Sequence, residues 1–166
     1  RALVNLKQVS VGPLVGAMQS QDEALLPQVI VVLSRLNAGQ IAPHLLRPYF
    51  TSDPTSLMHE AADYALKRVL GGVPLQRDAE DFLAREAQSY FDGKLVARPD
   101  YEDMVTLWGW DSKTQAPVEQ TYKSDTASLM MATRLAGDLF AISSNNIDHQ
   151  RLYMTSLLES AKRTNG

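Results

Sequence analysis

Two stretches of this chain lie over one another at a fixed distance. VVLSRLNAG (31–39) and YALKRVLGG (64–72) align with Val32 over Ala65, Leu33 over Leu66, Arg35 over Arg68, Leu36 over Val69 and Gly39 over Gly72, an offset of 33 residues. Just downstream, IAPHLLRPYFTSD (41–53) echoes VGPLVGAMQSQD (11–22), with Pro43 over Pro13 and an offset of 30–31. Leu3 and Leu6 stand 30 residues before Leu33 and Leu36, so the chain is read as opening inside the last turns of an earlier unit. A period in this range constrains the fold strongly. One such unit cannot bury its apolar face alone, and stacking several makes a continuous core.

Each unit reads as two short helices joined by a polar turn that contains aspartate. Pro13 and Pro43 fall in a first helical turn, where a missing N–H is harmless. Asp22 and Asp53 are expected as N-caps, with Pro54 in the first helical position. Gly39 and the pair Gly71–Gly72 are placed to close the longer helices, where a left-handed residue is wanted. Helical periodicity gives Leu25, Val29, Val32, Leu36 and then Leu57, Ala61, Tyr64, Ala65, Val69 as the buried stripes. Residues 76–94 predict a further helix, with Phe82, Leu83, Ala87, Tyr90 and Phe91 on its apolar face and Gly93 as its stop. Residues 95–103 form a polar connector.

The segments PHLLRPYFTSD and HEAADYALKRVLGG carry a resemblance. Over residues 1–72 the pattern resembles HEAT repeats, especially the short bacterial type related to the repeats of phycobilisome lyases. Residues 124–163 predict a second kind of helix pair. Ser124 or Asp125 caps the first helix, whose stripe is Leu129, Ala132, Leu135, Ala136, Leu139. SSNN makes the turn, and the next helix carries Ile147, Leu152, Tyr153, Leu157 and Leu158. This succession resembles the junction between two tetratricopeptide repeats, with Ser144 where that family usually has proline. The resemblance implies a mainly α fold, a right-handed α-α superhelix of HEAT- and TPR-like pairs with one inserted β-hairpin near 104–123. The expected organisation is HEAT-like repeats at 1–98, a connector and hairpin at 99–123 and a TPR-like pair at 124–166, all in one continuous solenoid. The combination also resembles segments of large bacterial HEAT-repeat proteins. It is therefore expected to be covalently joined to further repeats or domains, with any export signal upstream of Arg1.

MVTLWGWDSKTQAPVEQTYK (104–123) stands apart from the helical periodicity and holds both tryptophans. Extended, it directs Thr106, Trp108 and Trp110 to one side and Val105, Leu107 and Gly109 to the other. DSKTQ reads as a turn, and APVEQTYK returns with Val118 and Tyr122. An isolated hairpin is marginal in water, so its aromatics should lean on helices. Trp108 and Trp110 are read as fastening the HEAT-like part to the TPR-like part, the alternative being an exposed aromatic platform.

Composition narrows the chemistry. The chain has no cysteine, which excludes disulfides, thiolate nucleophiles and cysteine zinc sites. A net charge of −3 without any basic run argues against nucleic acid as a partner. The longest apolar run, VIVVL at 29–33, is far too short to span a membrane. MHEAAD puts His59 and Asp63 four residues apart on a helix, but the zinc-protease pattern needs a second histidine where Asp63 stands; the pair is read as a solvated face. Glu80–Asp81 and Glu102–Asp103 are neighbours in sequence rather than carboxylates facing across a bond, and with Asp78 the former suit a helix first turn. There is no GxSxG, SxxK or glycine-rich phosphate loop.

No catalytic, metal or cofactor residues are assigned. The expected function is a non-enzymatic scaffold that holds a protein or peptide partner. Arg35, His44, Arg47, His59, Asp63 and Arg68, which lie off the apolar stripes, are the candidate contacts, together with Trp108 and Trp110. The alternatives are a HEAT-like lyase or other ligand-binding enzyme domain, and a passive spacer.

Overall fold

The computed structural model describes residues 11–36, 41–96 and 99–165. The expectations for Leu3, Leu6 and Gly39 lie outside them. The fold is mainly helical with a small two-stranded antiparallel sheet. In chain order come α1 (11–17), α2 (Leu26–Arg35), α3 (Ala42–Thr51), α4 (Leu57–Leu70), α5 (Gln76–Phe91), β1 (Met104–Asp111), β2 (Ala116–Lys123), α6 (Ser124–Ile142) and α7 (Ile147–Asn165). These fall into two compact units. One comprises the chain up to Val73 with Leu107–Gln120, the other Pro74–Thr106 with the chain from Thr121 onward.

In the first unit the aspartates do something other than cap. Asp22 Oδ1 accepts from the backbone N–H groups of Ala24 and Leu25 at 2.9 and 3.1 Å, closing a turn of its own. Helix α2 therefore begins only at Leu26, with Pro27 in its first turn. Asp53 behaves alike, accepting from the Thr55 hydroxyl and, at 2.7 Å, from its N–H; these bonds hold its carboxyl below the ordinary carboxylate range. Ser56 is the N-cap instead, its Oγ accepting from His59 N–H at 3.2 Å, so Pro54 precedes the helix rather than opening it. The physical reason is general: a short polar side chain can satisfy the backbone of a local turn as readily as that of a helix end. Pro43 sits in the first turn of α3 as expected. Gly71 closes α4 at φ +79°, with its N–H on Lys67 O at 3.0 Å, the left-handed stop read from the sequence.

Helix α4 packs on both α2 and α3. Ile30, Leu33, Ile41, Leu45 and Leu66 are fully shielded, and Ala62 and Ala65 bring the helices close. The buried faces are turned from the predicted stripes. On α2 the core residues are Val29, Ile30, Leu33 and Ser34, with Val32 exposed. On α4 they are Ala61, Ala62, Ala65 and Leu66, with Leu57 and Tyr64 outside. Arg68 Nε donates to Ser34 O at 3.2 Å, joining the C-terminal ends of α2 and α4.

The outer part of the hairpin belongs to this unit, and Trp108 lies against α1. A Cβ added at Gly12 would meet Trp108 Cδ1 and Nε1 at 2.5 Å, and one at Gly16 would meet Gly109 O at 2.7 Å. Gly12 and Gly16 are one turn apart on the same face, so a strand can lie directly on helical backbone there.

In the second unit α6 packs on α5 and on α7. Helix α5 ends at Phe91, and Gly93 at φ +69° turns the chain away, as expected. Its core residues are Ala79, Leu83 and Ala87. Helix α6 begins at Ser124 itself, with Lys123 as its N-cap and no side-chain cap bond, so neither Ser124 nor Asp125 plays the capping part. Ser124 is instead tied to Asp103, its N–H donating to Asp103 O at 3.0 Å and its hydroxyl to Asp103 Oδ1 at 2.6 Å. Asp100 Oδ1 accepts from the N–H groups of Glu102 and Met104, both at 2.9 Å. The acidic run before β1 thus braces a turn in which Asp103 holds φ +60°.

Ala127, Ser128, Ala132, Leu135, Ala136 and Leu139 form the buried face of α6. Gly137 lets the Tyr153 ring approach, and Tyr153 stacks on Phe140 with centroids 5.6 Å apart. Asn146 Oδ1 accepts from Asp148 N–H at 3.0 Å at the start of α7, so the SSNN turn falls where the sequence puts it. Helix α7 keeps only part of the expected stripe, with Leu152 and Tyr153 half-buried. Ser156 and Ser160 are buried, while Ile147, Leu157 and Leu158, read as its stripe, are exposed along with Met154.

Candidate interaction groove

Four aliphatic residues in succession, Val29–Val32, spread over roughly 300° of the helix circumference, so they cannot all face one neighbour. The core takes Val29 and Ile30, leaving Val31 half-buried and Val32 43% exposed. On α4, Leu57 and Tyr64 are two turns apart on one face, and the alanine face beside them fills the helix contact. Leu57 is 74% exposed and Tyr64 45%. These leftover apolar groups converge. Pro27, Gln28, Val31, Val32 and Arg35 of α2 face Leu57, Glu60, Ala61 and Tyr64 of α4 across a groove of about 660 Å³.

The floor and walls are chiefly apolar, and among the described residues Arg35 and Glu60 are the charged side chains lining it. Neither makes a hydrogen bond or ion pair among the described residues. Among the described lining residues there is no nucleophile with a neighbouring base. The arrangement can hold side chains of another molecule and orient them by charge.

Of the eight residues expected to contact a partner, Arg35 alone lines this groove. Arg68 is turned to Ser34 O. His59 Nδ1 lies 2.9 Å from Tyr49 O, and its ring stacks on that of Tyr49 with centroids 4.4 Å apart, pinning the start of α4 to the end of α3. Asp63 pairs with Lys67 at 2.7 Å rather than with His59, so the expected His59–Asp63 face is divided between two other partners. His44 is half-buried and Arg47 exposed on α3. Trp108 and Trp110 are half-buried in β1, Trp108 against Gly12. Sequence reasoning missed Val32, Leu57 and Tyr64 as surface residues because it assigned them to the core. The signal was present in the crowding of VIVVL and in the three alanines of HEAADYAL.

A second depression, of about 540 Å³, lies in the other unit. It is lined by Tyr90, Phe91, Asp125, Glu159 and Arg163 among others, and Arg163 Nη1 pairs with Asp125 Oδ2 at 2.9 Å across it. Burial, aided by the Glu86 charge, raises the Tyr90 hydroxyl above its ordinary range. Its charges are already matched within the chain, which leaves less to recognise a ligand.

No family model matches the chain, and neither does any curated protein or solved structure. Function therefore rests on the geometry. No helix among the described residues is long and apolar enough to cross a membrane, and no group of three or more His, Asp or Glu side chains is gathered there to hold a metal ion.

Proposed function

We propose that the chain is a non-enzymatic protein-interaction module whose docking surface is the α2–α4 groove. The observation that carries this reading is the convergence of Val32, Leu57 and Tyr64, all exposed, around one concave surface. Contiguous apolar surface of this kind is costly to leave in water and commonly marks a binding face. An aromatic anchor such as Tyr64 is the residue type that dominates such contacts. The architecture that suits this role is a right-handed α-α superhelix segment. The 33-residue offset and the joined C-terminal ends of α2 and α4 support it, since corresponding helices of neighbouring repeats in a solenoid stand side by side in the same sense.

Affinity capture from the native cell extract tests the reading. The wild-type chain is expected to retain a discrete protein partner. Tyr64→Ala should weaken retention by roughly thirtyfold, the scale of a loss of about 2 kcal/mol at an aromatic anchor, with the melting temperature unchanged. Capture that is indifferent to Tyr64→Ala and Val32→Asp would place the docking surface elsewhere. The absence of any retained partner would favour a passive spacer.

A further inference from the structure

Arg35 and Glu60 give the groove a direction. Arg35 lies in the last turn of α2 and Glu60 in the first turn of α4. The bond from Arg68 to Ser34 sets the C-terminal ends of the two helices together. The cation therefore stands toward one end of the apolar floor and the anion toward the other. Among the described residues, the remaining lining carries no charge that could neutralise either. From Pro27 to Arg35 a helix rises roughly 12 Å, which an extended chain covers in about four residues.

We propose that the groove takes an extended peptide segment of a partner protein, with an acidic residue beside Arg35, a basic residue beside Glu60 and two apolar residues between them on Val32, Leu57 and Tyr64. The charges set the direction of the peptide, and the apolar floor supplies most of the affinity. A peptide read backwards meets like charge at both ends, so orientation is enforced by repulsion as well as attraction. A uniformly anionic surface, such as a nucleic acid or an acidic membrane, would satisfy Arg35 and be repelled by Glu60. This inference rests on the interaction reading above and adds the chemistry of the occupant.

The test uses the full chain, immobilised and panned against a random seven-residue peptide library displayed on phage. Enriched sequences are expected to share an acid and a base separated by two apolar residues. A synthetic peptide of that consensus should lose up to about fivefold in affinity against Arg35→Glu, the scale of a single exposed ion pair. A peptide with its acid and base exchanged should bind the Arg35→Glu, Glu60→Arg double variant better than it binds the wild type. Enriched peptides without the charge pattern, or with affinities unmoved by these substitutions, would overturn the inference and leave the interaction reading standing. No enrichment at all would overturn it too, and the partner capture described above then decides the broader reading independently.

Discussion

Truncating Leu66 to alanine is expected to cost about 2–5 kcal/mol of stability, whereas Leu57→Ala, nine residues earlier on the same helix, should change it by less than about 0.5 kcal/mol. Both leucines belong to α4, and helical periodicity alone favours Leu57 for the core. Leu66 is fully shielded, in the face that α4 packs on its neighbours; removing three of its carbons leaves a cavity that the close-packed Ala62 and Ala65 cannot fill. Leu57 is mostly in water at the rim of the groove, so alanine there gives up little burial. Urea unfolding of the two variants, compared at a common slope, reads the difference directly. Equal losses would mean that the buried face of α4 includes Leu57, and the groove would lose one wall.

The second large effect is at Gly16. Alanine in the interior of an exposed helix normally stabilises by up to about 1 kcal/mol over glycine. Here the sign should reverse, with a loss of about 1–3 kcal/mol. The added methyl would lie 2.7 Å from Gly109 O, a backbone atom of the paired hairpin that cannot step aside as a side chain can. Gly12→Ala presses on the Trp108 ring at 2.5 Å instead. Combined with Trp108→Ala, it should become neutral or stabilising. Thermal melts of the single and double variants form a cycle whose coupling measures the contact. A stabilising Gly16→Ala would show that the strand does not rest on α1 in solution.

Much of the element order was legible in the sequence. The hairpin occupies Met104–Lys123, and Gly71 and Gly93 end their helices in the left-handed region, as their placement demands. What periodicity could not supply was rotation about the helix axis. A run such as VIVVL supports several faces, and the choice among them falls to the partner helix, whose alanines admit one approach and whose bulkier leucine and tyrosine obstruct another. The caps were misread for a related reason: Asp22 and Asp53 are committed to their own turns before the helices begin. Leu157 and Leu158 of α7 show the same limit, since the buried Ser156 and Ser160 permit the closer contact with α6. The groove follows directly from these rotations. Had α2 and α4 buried the stripes drawn from the sequence, Val32 and Tyr64 would be core.

The most direct test is hydrogen–deuterium exchange of the whole chain with and without its captured partner. Added protection is expected to be confined to residues 27–35 and 57–64. Protection centred on the hairpin at 104–123 or on the exposed face of α7, with the groove unchanged, would contradict it.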